Sequence, residues 1–343
     1  MNKLINWIKS HQVAAFFIIT FTITWGLGFS YSAVMQKGQF LLFPLVVIAT
    51  CGPALAGIII TAITNSEPRQ GARRVAWSAF CMAWVVSALV FITHNTLYNI
   101  IPLSLEAVVF SVIAVVPVAF VISMAYSRIP AVKSYLSSLI RLRGVWGWFL
   151  LALVLFPALI LLSVLISSIL GRQPIADHQF SDAGLALIGL VAVKFFYQIF
   201  FFNIIGEEIG WRGFALPRLQ ARISPLIASL VIAFFWINWH LFLWQAEGNP
   251  MLAWSWWVGQ YALHIHASVT IGWLYNRSKG SILVAGIAHA AANTAIAFSP
   301  NLDWTVYILT ATIAALVMIL IDRMWKKLPS DHPAVFQAPL LET

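Results

Sequence analysis

Phe195-Phe196-Tyr197-Gln198-Ile199-Phe200-Phe201-Phe202-Asn203-Ile204-Ile205-Gly206-Glu207-Glu208-Ile209-Gly210-Trp211-Arg212-Gly213-Phe214-Ala215-Leu216-Pro217-Arg218 is the stretch that decides the fold. From Phe195 to Ile205 the only polar interruptions are Gln198 and Asn203. Two adjacent carboxylates then stand at the end of a segment that reads as lying in lipid. Every other acidic residue falls in a loop, in a tail or at a predicted helix end. Ionisable groups at the edge of a hydrocarbon layer are costly, so each is a functional-site hypothesis by default. A plain salt bridge accounts for Glu208, because Arg212 lies four residues on and the acid is N-terminal, the favourable helical order. It leaves Glu207 unexplained.

Composition places this stretch in a membrane protein. Of 343 residues, 61% are hydrophobic and 9% are charged, where a soluble domain carries about 25% charged residues. The net charge of +9 would suit nucleic acid. The basic residues, however, are spread along loops beside apolar runs, which is how membrane topology is written. Cys51 and Cys81 sit inside apolar segments without the spacing of a zinc knuckle or a disulfide scaffold, and read as packing residues. Lys3 and Lys9 precede an apolar run of about 20 residues, longer than the 7–15 of a cleaved signal. A retained signal-anchor helix is expected there.

A spanning helix needs roughly 20 mainly apolar residues. The hydropathy pattern predicts ten, over 13–33, 40–63, 75–93, 105–125, 146–170, 184–206, 224–244, 254–275, 281–298 and 304–322. With the N-terminus inside, inner segments hold 17 of the 20 basic residues. Outer loops hold only Lys37 and Arg172, and Lys194 lies within a helix, where local pairing or snorkelling is expected. An even count with both termini cytoplasmic follows. It places Glu207 and Glu208 at the cytoplasmic end of the sixth helix. Ser127 to Arg143, including Arg141 and Arg143, reads as a basic cytoplasmic connector, and the tail beyond Trp325 is expected to be loosely ordered.

Two later helices repeat the oddity of the sixth. Trp236-Ile237-Asn238-Trp239-His240 puts a histidine in an aromatic run, and His289-Ala290-Ala291-Ala292-Asn293 puts two polar groups on one helical face. His264 and His266 are expected to be packing residues. Two carboxylates, two histidines and an asparagine at membrane depth supply a general base, a metal triad and an oxyanion donor. The chain has no His-Glu-x-x-His motif, no aspartate inside a spanning segment and no phosphate-cradling loop.

At these residues the sequence resembles the CPBP family of intramembrane proteases, which includes the CAAX prenyl endopeptidases and bacteriocin-immunity-type relatives. The family pattern Glu-Glu-x-x-x-Arg is matched by Glu207 to Arg212, and His-x-x-x-Asn/Asp by His289 and Asn293. Gly272-Trp273-Leu274-Tyr275 to Gly280-Ser281 and, more weakly, Cys51-Gly52-Pro53-Ala54-Leu55-Ala56 and Arg141 to Leu153 also match. One position departs: Trp236 stands where the family usually has Phe, before His240. The resemblance is strong over about 184–298.

The resemblance implies an all-α polytopic membrane protein with an eight-helix core plus an inserted helical hairpin. The corresponding division is 1–65 for the first helices, 66–132 for the hairpin, 133–183 for the connector and fifth helix, 184–298 for the catalytic core, and 299–343 for the last helix and tail. It implies an intramembrane endopeptidase of the plasma membrane, acting on membrane-bound peptide or protein substrates within the lipid bilayer, prenylated ones among them, and binding no nucleic acid. The candidate catalytic residues are Glu207, Glu208, His240, His289 and Asn293. Glu207 and His240 would activate water, His289 and Asn293 would hold the oxyanion, and Glu208 with Arg212 would orient the site. Whether Glu207, His240 and His289 bind Zn or work without a cofactor stays open at this level, with the metal-free arrangement favoured. A non-enzymatic immunity or scaffold protein of the same fold is the alternative, and a proton-coupled transporter a weaker one, since the outer half shows few polar residues.

Overall fold

Backbone N–H and C=O groups find no partner in hydrocarbon, so long apolar runs must satisfy them internally as helices. The computed structural model describes residues 2–35, 43–65, 67–139, 144–172, 184–249 and 251–336, and among these it is all-helical. Lys37, Arg141 and Arg143 lie outside the described residues, as do the first residues of the second predicted span.

The helices are α1 (Asn2–Ser10), α2 (Gln12–Met35), α3 (Phe43–Thr50), α4 (Gly52–Thr64), α5 (Arg73–Leu97), α6 (Leu105–Ala114), α7 (Val116–Ser123), α8 (Pro130–Leu136) and α9 (Trp146–Ile169). α10 (Ala186–Gln198) runs through π-helical stretches at Ile199–Glu208 and Trp211–Ala215 into α11 (Leu216–Gln220). α12 (Pro225–Trp239), α13 (Leu241–Ala246), α14 (Trp254–Arg277), α15 (Ile282–Ala297) and α16 (Trp304–Asp322) complete the described chain. Seven described helical stretches are long and apolar enough to cross a membrane. They coincide with the first, third to seventh and tenth predicted spans. The second is divided between α3 and α4 at Cys51, next to Pro53, while the eighth is α14 and the ninth the shorter α15.

α15 sits at the centre, buried on almost every side against α9, α10, the π-helical stretch and α14. Its start is fixed by Ser281, whose hydroxyl accepts from the Val284 N–H at 3.3 Å and satisfies one of the orphan donors of a helix N-terminus. Large apolar side chains such as Leu89, Leu150, Leu161 and Ile313 remain exposed on the outer helices, as they would facing lipid. α5 and α7 pack together and lie along α10 and the π-helical stretch.

Two expectations fail. The sixth helix does not end at Gly206 but continues to Gln220, so Glu207 and Glu208 lie inside it. Gly206 is a close-packing position rather than a helix end. A Cβ there would meet the Thr50 carbonyl oxygen at 2.8 Å, and one on Gly210 would meet Pro53 backbone at 2.4 Å. The tail is the second failure, since it is docked as far as Phe336. The Phe336 N–H donates to the Pro217 carbonyl at 3.0 Å, and Gln220 Nε2 donates to the Ala334 carbonyl at 2.9 Å. Arg218 lies over the Phe336 ring and donates to Gln12 Oε1 at 2.7 Å, so the start of α2, the end of α11 and the tail meet at one face.

Candidate active site

The long α10–α11 helix carries Glu207, Glu208 and Arg212 into the bundle, and π-helical segments of this kind recur at functional sites. A wider helical turn leaves carbonyls without regular partners, and neighbouring helices take some of them up. The Tyr135 hydroxyl of α8 donates to the Ile209 carbonyl at 2.5 Å, and Thr50 Oγ1 donates to the Phe201 carbonyl at 3.5 Å.

Glu208 and Arg212 are both fully buried. Glu208 Oε1 accepts from Arg212 Nη1 at 2.8 Å and from His289 Nδ1 of α15, also at 2.8 Å. Arg212 Nη2 donates to Ser268 Oγ of α14 at 3.3 Å, and Ser268 in turn donates to the Ser229 carbonyl of α12 at 2.8 Å. Four helices are thereby tied by one buried ion pair, of the kind whose disruption would strand a charge in low dielectric. The salt bridge read from the sequence is present, and it does more than anchor a helix end.

Glu207 takes no part in that network. It is 3% exposed, and its Oε2 accepts from the indole N–H of Trp236. Trp236 is the hub of the site. Its ring lies 5.0 Å from those of His264 and His289, both edge-on, 5.9 Å from that of His240, and 4.8 Å beneath the Arg212 guanidinium. His240 stands at the junction of α12 and α13, its Nδ1 paired with the Trp236 carbonyl at 2.8 Å and its ring stacked on Trp244. Nδ1 must be the protonated nitrogen to make that bond, which leaves Nε2 as an acceptor. Asn293 lies one turn beyond His289 on α15 and is half-buried.

His264 is the residue that sequence reasoning missed. It packs 5.2 Å from His240, ring to ring, and its Nδ1 pairs with the Gln260 carbonyl at 2.8 Å. The signal was available in spacing. His264, Ser268 and Gly272 recur every four residues, on the face of α14 that meets α12, where Gly272 abuts Ser229. His266, two residues on, points elsewhere and packs against Tyr307 of α16.

Among the described residues no group of three His, Cys, Asp or Glu side chains is placed to hold a metal ion. Glu207 Oε2, His240 Nδ1 and His289 Nδ1 are each engaged by another partner, which leaves the second polar atom of each side chain open.

Residues 189–295 match the family model described as Type II CAAX prenyl endopeptidase Rce1-like. The chain is also 33% identical over 145 residues to CAAX prenyl protease 2 of Methanococcus maripaludis, an alignment covering 41% of this chain and 52% of that relative. The match thus spans about half the length of the relative. The matched segment is the one that carries Glu207, Glu208, Arg212, Trp236, His240, His264, His289 and Asn293, so the similarity of this multi-pass membrane protein to CAAX prenyl endopeptidases lies in the stretch that builds the candidate site.

Proposed function

We propose that the protein is an intramembrane endopeptidase whose general base is Glu207, cleaving membrane-bound peptides with prenylated C-termini near the cytoplasmic face of a plasma membrane. The observation that carries this reading is the separation of the two carboxylates. Glu208 is consumed by Arg212 and His289, whereas buried Glu207 holds a single hydrogen bond, from Trp236, whose ring packs against three histidines. The structural carboxylate and the reactive one are different residues. The similarity to CAAX prenyl protease 2 of Methanococcus maripaludis supports the substrate class.

In this mechanism Glu207 takes a proton from water as the water oxygen attacks the scissile carbonyl carbon. His240, with Nε2 free as an acceptor, helps align the water. The carbonyl π-electrons move to oxygen, where His289 and Asn293 donate to the developing charge. That role requires His289 to carry both protons, and Glu208 supplies the compensating charge at Nδ1. The proton held by Glu207 then passes to the amide nitrogen, the C–N bond breaks, and acid and amine leave. Glu208 and Arg212 act as positioning residues. No step requires a metal.

Membranes containing wild type, Glu207→Ala, His240→Ala or His289→Ala at matched levels, offered a fluorescent prenylated peptide, test the proposal. Wild type is expected to release the C-terminal fragment, with each variant at least 100-fold slower at unchanged folded abundance. Full activity in all three variants would overturn the assignment.

A further inference from the structure

A second polar cluster lies on the other half of the α10–α11 helix, built by α5 and α10 and independent of the proposed protease chemistry. Lys194 Nζ is 3.4 Å from His94 Nε2 and 5.5 Å from the ring centroids of Tyr98 and Tyr197. His94 is 1% exposed and lies face to face with Tyr197, with ring centroids 3.6 Å apart. His94 Nδ1 pairs with Asn95 Oδ1 at 3.3 Å, while Asn95 Nδ2, in a side chain 5% exposed, has no partner.

The hydrogen-bond inventory of this cluster is one-sided. An ammonium group has three donors and no acceptor, so His94 Nε2 must be the acceptor and Nδ1 must carry the proton that Asn95 Oδ1 receives. The histidine is then fully used. Donor capacity remains unspent: two N–H bonds of Lys194 and the amide N–H bonds of Asn95. No carboxylate among the described residues pairs with Lys194. A group of donors with one positive charge at membrane depth calls for an anionic oxygen ligand.

Position selects the ligand class. Lys194 lies eight residues into α10, about 12 Å from its start, and His94 lies three residues before the end of α5. Both helix ends face the same side of the bundle, so the lysine leans toward that interface, where lipid phosphates lie. We propose that Lys194, His94 and Asn95 form a phosphate-binding site on the face opposite the docked tail, filled by the phosphodiester of a phospholipid headgroup.

Thermal unfolding of the full chain in detergent, titrated with palmitoyl-oleoyl phosphatidylglycerol or with inorganic phosphate at constant ionic strength, tests this. Phosphatidylglycerol is expected to raise the wild-type Tm saturably by several degrees. Lys194→Met should require at least tenfold more lipid for the same shift, Lys194→Arg should retain it, and Lys327→Gln, a control for charge alone, should behave as wild type. A Lys194-dependent shift from inorganic phosphate alone would uphold the site and identify its source as soluble. Equal lipid responses in wild type and Lys194→Met, or no response to either probe, would overturn it.

Discussion

Trp236 distinguishes this site from the phenylalanine expected at its position, and the difference is one proton. Both rings fill space beside His289 and Arg212, but only indole donates to Glu207. A hydrogen bond to a charged group contributes about 1.5–3 kcal/mol. Trp236→Phe is therefore expected to lower kcat roughly 10- to 100-fold with little change in KM, and to lower Tm by the lost hydrogen bond, because most of the ring packing survives while the aim of the carboxylate is lost. Steady-state cleavage of the prenylated reporter, with thermal unfolding beside it, separates these effects. Unchanged kcat would reduce Trp236 to packing. The carboxylates and two histidines were legible in the sequence because each breaks an apolar run. His264 was not, since it lies in a stretch already rich in Trp, Tyr and Gln and is paired with a second histidine that faces away.

Among the elements, the α10–α11 helix owes its shape to what it must approach. Gly206 and Gly210 lie on the break between α3 and α4, where Thr50 and Pro53 expose backbone instead of side chains. Such contact needs glycine for its missing Cβ, since nothing bulkier lets the two backbones meet. Gly210→Ala would place a methyl group 2.4 Å from Pro53 and is expected to cost about 1–3 kcal/mol through overpacking. Gly147→Ala on α9 meets nothing within 4 Å and serves as the neutral control. Differential scanning fluorimetry of the two purified variants reads the contrast, and equal Tm values would show that the bundle yields freely at Pro53. A sequence pattern cannot tell a glycine that stops a helix from one that lets it touch a neighbour, because the distinction belongs to the partner. The helix is read as ending at 206, where the apolar run ends, and it continues to Gln220.

For the whole molecule, hydrocarbon thickness made the spans legible, while the course of the tail was hidden. Nothing in 326–336 is long, apolar or periodic, and its structure comes from pairing with groups on α11. Gln220 spends one amide hydrogen on the Ala334 carbonyl and exchanges further bonds with Asn276 of α14. The Arg218 guanidinium is held between the Phe214 and Phe336 rings at 3.6 and 3.8 Å. Gly280, with φ of 80°, packs its Cα against the Pro333 carbonyl, where a Cβ would stand at 2.9 Å. The tail therefore clamps the end of the helix that carries both glutamates to α14 and to the loop before α15. Deleting 329–343 removes two hydrogen bonds worth about 1 kcal/mol each and a cation–π contact worth about 0.5–1 kcal/mol. A loss of about 2–3 kcal/mol is expected, seen as a lower Tm in detergent, whereas deleting 337–343 keeps every one of these contacts and should leave Tm unchanged. If both truncations melt like the full chain, the docked tail contributes nothing to holding the helix. If only the longer one is destabilised and its cleavage rate falls at a temperature where it remains folded, the clamp reaches the site through α11.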